Sequence, residues 1–573
     1  MTSKNIYSGA DVPLTTLANG AVTNADAQRK LAQTTYGVPT VDRVAPGVTV
    51  FGGGFLNLTL IEGDDGLIVY DTGEVLADGE RFLRQIREIS DKPVVGVIYS
   101  HSHYANGTSA LVGDGRGARI IGHPRVNANM ASGGSGSLYP ETAPLQISRT
   151  LQQFNHFSPE NGPDAPPGAK LAFGRSGFLP VDTPVSDGER MTIAGIEMQF
   201  FTRYGSDTDD CLTVHLPATG IVLNNIFWPW LPNIYTLRAS LFRDPREWRD
   251  GLKVIRGLRP KALINTHART VKGEAECTEA LDAVIDGLSA ILDQTLRGIL
   301  QGLGPDDLRS FVRLPPHLAD HPFLAEIYGE ISHFGPYLFN AALGWFDGDA
   351  ATINPLPPIE QAGRLVDAMG GAASVFARAQ EAFKKKELAW AAQLVGYLYR
   401  LDPMNADVRN LKADVLQQMG HITPAHTIRS WYIAQARALR GEATISRLTF
   451  ANTRVLALAP PAESMEQYRV RIDPEVAGDM DMVVALQITD RGSRHAWHLR
   501  RGVVEFNADV EKCRRAPEVE IATDFDNWLR FFSCRRALDE FLDKASAVRG
   551  ENARAFFAAF DFYDPTDSLI VPR

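Results

Sequence analysis

Val94-Val95-Gly96-Val97-Ile98-Tyr99 is an apolar run that leads without a break into Ser100-His101-Ser102-His103-Tyr104-Ala105-Asn106-Gly107. A run of this kind reads as a buried strand. Two histidines at i and i+2 on the turn leaving such a strand can aim at one point beyond its end, where layered α/β folds carry their ligand sites. Imidazole suits zinc, which takes three or four N/O ligands at about 2.0–2.2 Å. Taken alone, the His-x-His leaves a second reading open: two polar turn histidines hydrogen-bonded to backbone.

Working outward, Phe55–Ile61 and Leu67–Tyr70 are apolar runs separated by Glu62-Gly63-Asp64-Asp65-Gly66, a hairpin signal. A helix is predicted over Arg81–Ile89, and strands at Arg119–Ile121, Met198–Phe201, Leu212–His215, Ile221–Leu223 and Ala262–Asn265. Strands alternating with helices make this part an α/β layered domain. Ala131–Gly168, with Gly133-Gly134-Ser135-Gly136-Ser137 and Pro163-Asp164-Ala165-Pro166-Pro167, reads as one long irregular stretch: a lid, half of the substrate pocket, or an inert insertion.

From Ala280 to Gly441 the pattern turns helical, with three- and four-residue apolar spacing in Ala373–Phe383, Leu388–Tyr399 and Ala406–Gln418. The stretch from Trp390 to Ala406 looks like a tetratricopeptide-type hairpin, and Pro355, Pro357 and Pro358 mark a break. Beyond Ile445 strand-like runs return: Tyr468-Arg469-Val470-Arg471-Ile472 alternates, and Met482–Ile488 reads as buried. The tail Asn527–Phe562 reads as helical, so a small α+β domain closes the chain.

Composition narrows the function classes. The 573 residues carry a formal charge of −10, which argues against non-specific nucleic-acid binding. Four dispersed cysteines (Cys211, Cys277, Cys513, Cys534) make neither a disulfide framework nor a cysteine zinc site. No apolar stretch of the roughly 18 residues needed for a membrane span occurs. The polar N-terminus is not a signal peptide, so the expected location is cytoplasmic, or periplasmic if a leader has been trimmed.

Two motifs carry a resemblance to a known family. A strand ending in Asp71-Thr72-Gly73, then a helix, a strand and His-x-His, resembles the metallo-β-lactamase fold. Pro315-Pro316-His317-Leu318 and Leu343-Gly344-Trp345-Phe346-Asp347-Gly348 resemble the helical dimerisation domain of the alkyl sulfatase family. The resemblance implies an α/β fold: an αββα sandwich over 1–290, an all-α dimerisation domain over 291–441 with tetratricopeptide-like hairpins, and an α+β sterol-carrier-protein-like domain over 442–573. It further implies a homodimeric metal-dependent hydrolase acting on a small alkyl sulfate-type ester with an apolar tail.

Family members typically hold two zinc ions, using His-x-His-x-Asp-His. Here His101 and His103 match, but the Asp position and that of the next His are Ala105 and Asn106. Asp207 falls at the position of the first metal's carboxylate, with Asp209 and Asp210 as rivals, and Asn225 replaces the bridging Glu. His267 matches the last ligand. These coordinated losses predict one zinc on His101, His103 and Asp207, with His267 either a fourth ligand or a partner of substrate. His267 and Asp210 are the expected proton-handling residues, and Asp71 is structural or orients a ligand histidine.

The substrate side departs too. Where the family has histidines, the chain has Trp228-Pro229-Trp230, which either line an apolar pocket or pack in the core. Asn233, Thr236, Leu237 and Arg238 keep the matching character. The family's sulfate-holding arginine is replaced near Val284-Ile285, leaving Arg149, Arg203 or Arg269 to grip the anion. The expected substrate contacts are Trp228, Trp230, Asn233 and Arg149. His123 is a further candidate near the site; His317, His321, His333, His421 and His426 read as ordinary, and Lys384-Lys385-Lys386 as a solvated face. A lyase or another ester hydrolase on the same scaffold, a two-zinc enzyme, and a non-catalytic dimeric binding protein are the alternatives.

Overall fold

The structure, a computed structural model, describes residues 6–34, 36–131, 139–168, 170–235, 237–564 and 566–570. The chain divides into two compact units, one of Met1–Asn127, Thr150–Ile445 and Ile570–Pro572, the other of Ala128–Arg149, Ser446–Leu569 and Arg573. Gly133–Ser137 and Thr236 lie outside the described residues.

The first unit opens with a small antiparallel pair, β1 (Leu14–Thr16) and β2 (Val22–Asn24). A seven-stranded sheet follows in simple sequence order. Its strands are β3 (Thr40–Ala45), β4 (Val48–Gly52), β5 (Leu58–Glu62), β6 (Leu67–Tyr70), β7 (Val94–Ile98), β8 (Arg119–Gly122) and β9 (Thr183–Pro184). Pairing is antiparallel up to β6 and parallel from β6 to β9. Parallel neighbours need a crossover, and the helices Leu76–Arg87 and Thr108–Val112 provide two of them. The second sheet runs β10 (Arg190–Ile193), β11 (Ile196–Phe201), β12 (Thr213–Leu216), β13 (Ile221–Asn224), β14 (Ala262–Asn265) and β15 (Val271–Lys272).

The two sheets share one core. Ile68 and Tyr70 of β6, Ile98 of β7 and Ile121 of β8 join Phe200, Val214, Leu223 and Ile264 of the second sheet. Alternate residues such as Leu67 and Val69 are equally buried, on the face that the helices cover. That double burial explains why the strands read as continuous apolar runs rather than alternating ones. At one end the sheets are tied directly: the Leu212 amide donates to the Ser100 carbonyl at 2.7 Å, and the Tyr70 hydroxyl donates to the Leu212 carbonyl at 3.0 Å.

After β15 comes the long helix Glu274–Leu300, and later the antiparallel helices Ala372–Lys384, Leu388–Leu401, Ala406–Ile422 and His426–Leu439, packed through their own apolar cluster. Asn405 caps Ala406–Ile422 by accepting from the Val408 amide, and Pro358 sits at the first turn of Pro358–Ala368, where a missing N–H costs nothing. Among the described residues no helix is long and apolar enough to cross a membrane.

The second unit holds a five-stranded sheet ordered β18-β17-β16-β19-β20, made of β16 (Asp481–Ile488), β17 (Ser493–Arg500), β18 (Val503–Asn507), β19 (Val519–Thr523) and β20 (Ala547–Arg549). One face packs on an aromatic core of Tyr468, Trp497, Trp528, Phe531, Phe541 and Phe557.

Three sequence expectations are corrected. Ala131–Gly168 is not irregular throughout: it contains the helix Ala143–Gln153, entered through the 3-10 turn Pro140–Thr142. Tyr468–Ile472 is not a strand but the end of the helix Pro461–Tyr468 and a 3-10 turn. Its alternation misled because Arg471 is buried, its guanidinium resting on the rings of Phe450, Tyr468, Phe532 and Tyr563 at 4.8–5.3 Å. The tail is three short helices, Phe525–Phe532, Leu538–Asp543 and Ala553–Ala558, interrupted by β20.

Candidate metal centre

β6 and β7 end side by side, so Asp71 and the Ser100-His101 turn leave the sheet together. Asp71 adopts the left-handed conformation, φ 63°, and its Oδ1 accepts from the Ser100 amide at 2.8 Å. The following backbone, extended at His101, enters a 3-10 turn over Ser102–Tyr104. Asp210 Oδ2 accepts the Ser102 amide at 3.1 Å and its Oδ1 accepts the Thr208 hydroxyl at 2.6 Å. Both Asp210 oxygens are therefore engaged in shaping the turn.

This turn brings His101 and His103 onto Asp207, in the loop that feeds β12. Asp207 Oδ2 lies 3.8 Å from His101 Nε2 and 3.3 Å from His103 Nδ1. One donor atom from each residue falls within 4.8 Å of the others. Ligands about 2.0–2.2 Å from a tetrahedral zinc stand roughly 3.3–3.6 Å apart, so the cluster would have to draw in by up to about an ångström to hold one. His101 Nε2 is fully buried and has no hydrogen-bond partner, while its Nδ1 meets the Ser100 hydroxyl at 2.8 Å. An orphaned buried imidazole nitrogen facing a carboxylate is the arrangement a cation satisfies. Burial pushes the His101 imidazole down to about 4, which keeps it in the neutral, ligating form. Burial also opposes ionisation of Asp207, but the neighbouring histidines and Arg243 outweigh it and hold the carboxyl well below its usual range.

The other half of the constellation holds different chemistry. Ala105 is buried, and Asn106 accepts from the Ser176 hydroxyl at 2.5 Å. Asn225 donates its amide to Asp207 Oδ1 at 2.7 Å. That bond occupies one carboxylate oxygen and leaves the other directed at the histidines. His267 stands outside the three-residue cluster. Its Nδ1 donates to the Phe55 carbonyl at 2.8 Å, so Nε2 keeps its lone pair and meets the Tyr104 hydroxyl at 3.4 Å. Rings of Trp228, Phe55, Tyr104 and Trp230 surround it at centroid distances of 5.1–6.2 Å, and burial lowers its basicity.

Both tryptophans, each at most 2% exposed, thus form the wall of His267's surroundings. Tyr328 stacks on Trp230 at 5.9 Å, and beside it a pocket is lined by Tyr36, Phe55, Phe154 and His426. Asn233 does not face open space: its side-chain and main-chain oxygens accept from Arg243 at 2.9 and 2.8 Å.

Two arginines enter the picture. Arg238 and Arg243 are 8% and 5% exposed, and the Nε of each is buried with no partner. Each carries a charge felt by the Asp207 carboxylate or the Tyr328 phenol. Burial, with Arg243 nearby, pulls Arg238 down to about 10. Arg203 is exposed with its guanidinium over the Tyr204 ring, and Arg269 pairs with Glu276 and lies over the Phe323 ring. Arg149 lies on Ala143–Gln153, within the part of that helix belonging to the second unit. Val284 and Ile285 are buried on Glu274–Leu300. His123 accepts from the Arg125 amide, and Asp209 pairs with Arg125 at 2.8 Å.

Sequence reading missed Arg243, Tyr104 and Tyr328 as site neighbours. Only Tyr104, inside the His-x-His turn, carried a usable local signal.

The metallo-beta-lactamase superfamily matches residues 51–104 and the alkyl sulfatase dimerisation family matches residues 304–442. A linear primary-alkylsulfatase of Pseudomonas sp. is 31% identical over 547 residues, covering 89% of this chain and all of that protein. An (R)-specific secondary-alkylsulfatase of Pseudomonas sp. is 28% identical over 90% of this chain and 80% of that one. The solved structure of a stereoselective inverting sec-alkylsulfatase from Pseudomonas sp. superposes with a TM-score of 0.80, at 21% identity, over 99% of this chain and 95% of that one.

Proposed function

The chain belongs to the alkylsulfatase family of metallo-β-lactamase-fold hydrolases, and from that premise we propose that it hydrolyses an anionic, sulfate-type ester with an apolar group, using one zinc ion per chain. The observation that carries this reading is the buried, unpartnered His101 Nε2 facing Asp207 and His103. Those three residues would hold the ion. Zinc supplies a Lewis acid that lowers the pKa of water toward about 7.

The chain's own groups do the rest. Arg238 and Arg243 give two guanidiniums for the sulfate oxygens, Arg238 through its unpartnered Nε, in the fork geometry that suits such oxygens. Asn225 holds Asp207 in place. His267 Nε2, with its proton fixed on Nδ1 by the Phe55 carbonyl, is the atom that takes a proton from attacking water. Trp228, Trp230 and Phe55 keep bulk water away and offer an apolar wall to the ester's tail. Trp228, Trp230 and Asn233 thereby keep substrate-facing or supporting roles, and the anion passes from Arg149 to Arg238.

The test is metal analysis of protein purified without chelator, with turnover assayed on medium-chain alkyl sulfates. About one equivalent of zinc per chain with sulfate release is expected. Two equivalents would overturn the single-ion reading, and none would overturn the enzyme.

We further assign 1–290 to catalysis, 291–441 to dimerisation and 442–573 to a sterol-carrier-like domain. Within the middle segment Leu343, Trp345 and Ile359 are 59–71% exposed, an apolar set suited to a second copy of the chain. Trp345→Glu is expected to shift the protein from dimer to monomer in light scattering at micromolar concentration. An unchanged mass would remove this surface from the interface.

A further inference from the structure

Gln153 closes the helix Ala143–Gln153, lies in the first unit and is 1% exposed. Its Oε1 accepts the Arg238 main-chain amide at 3.1 Å. Only the oxygen of a side-chain amide can take an N–H, so that bond fixes which way the group faces. Nε2 is turned away from Arg238, and it is buried with no hydrogen-bond partner. A buried donor left unpaired costs stability, and native folds keep few of them.

The same residue lines a small cavity, together with the rings of Tyr36, Phe55, Phe154 and Tyr328. The cavity measures about 10 Å³, room for one water-sized group. Asn155 and Thr427 border it as well, and both spend polar atoms inside the protein. Asn155 Oδ1 accepts the Ser430 hydroxyl at 2.6 Å, and the Thr427 hydroxyl donates to the Tyr328 carbonyl at 2.8 Å.

Two of the cavity's walls are also walls of the candidate site. The Phe55 ring lies 5.4 Å from the His267 imidazole, and its carbonyl accepts from His267 Nδ1 at 2.8 Å. The Tyr328 ring lies 6.5 Å from the same imidazole and stacks on Trp230. A single layer of rings thus separates the cavity from His267. One side chain, Gln153 itself, links it to the backbone of Arg238.

Resting on the hydrolase reading above, we propose that this cavity is a subsite for a neutral oxygen on the substrate's carbon chain, with Gln153 Nε2 as its donor. A donor calls for an acceptor: a hydroxyl, ether or carbonyl oxygen. A neutral amide among aromatic rings has nothing to pair with a second charge, which would be costly to bury there. The volume admits one such group and no long branch. Its place beside Arg238 and His267 puts the oxygen close to the sulfated carbon rather than at the far end of the tail. The preferred ester is therefore an oxygenated alkyl sulfate, and a plain chain leaves the donor unpaired. Gln153 sets that specificity.

The test uses alkyl sulfates of one length, unsubstituted or carrying a hydroxyl or methoxy group at successive carbons. One position near the sulfated carbon is expected to raise kcat/KM about tenfold or more over the plain ester, since a site built around a donor rejects substrates that lack the acceptor. Gln153→Met, of similar length but without a donor, is expected to bring that ratio below about threefold whatever the absolute rates do. Gln153→Glu keeps an acceptor for the Arg238 amide and loses the donor, so it decides the matter if the methionine variant fails to fold. Wild-type protein that cleaves every pair within about threefold overturns the subsite, and so does a preference that survives in either folded variant. Wild-type protein inert on every ester sinks the hydrolase reading itself and the subsite with it, a result distinct from equal rates on plain and oxygenated esters.

Discussion

His101→Ala is expected to abolish metal retention and turnover together while leaving the fold intact. Three side chains form the cluster, and His101 is the one whose ring is fully buried with an unpartnered nitrogen. Zinc binding by four protein ligands is worth about 10–16 kcal/mol in folded peptides. Losing one ligand of three therefore weakens affinity by about 10³-fold or more. Alanine also removes a buried polar atom that apo protein leaves unsatisfied, which offsets part of the cavity cost. Zinc content after desalting and sulfate release, read beside circular dichroism, check the result. Retained zinc in a folded variant would remove His101 from the ligand set.

Arg238→Met should separate function from stability. The arginine is 8% exposed with its Nε unpartnered and Arg243 close enough to lower its pKa, so the free protein stores like-charge repulsion and desolvation at this point. A methionine of similar length removes both, and ligand-free protein should gain about 1–4 kcal/mol against urea. Catalysis moves the other way. Removing a buried charge partner of an anion costs about 2–5 kcal/mol, a drop in kcat/KM of roughly 30- to 5000-fold carried largely by KM. Loss of stability together with unchanged KM would show that Arg238 serves the scaffold rather than the anion.

The His101 and His103 part of the candidate site was legible because its signals are local. A buried strand, a turn and two histidines are contiguous, and a strand exit fixes their direction whatever surrounds it. Asp207 came from the family pattern, and the structure places it 3.3 Å from His103. The sandwich strands were equally readable, since burial on both faces writes itself as β-branched runs. What escaped was long-range. Arg243 has no local peculiarity; it matters because its chain neighbours fold it back on Asn233 at 2.8–2.9 Å. Tyr328 belongs to a segment about sixty residues past His267 and reaches it only through packing. Arg471 failed for the reverse reason: a charged residue was taken to mark the outer face, and four aromatic rings hold it inside.

The backbone tie between Ser100 and Leu212 has a consequence for how the site moves. Loops that bind ligands usually open on their own, at a fraction of the free energy of global unfolding. Here the carbonyl of the residue preceding His101 accepts the amide of Leu212, just before β12 of the opposite sheet, and the Tyr70 hydroxyl donates to the Leu212 carbonyl from the core. The histidine pair cannot fray without parting the two sheets. The histidine turn therefore belongs to the cooperative unit of the sandwich itself, and its preorganisation is as durable as the fold.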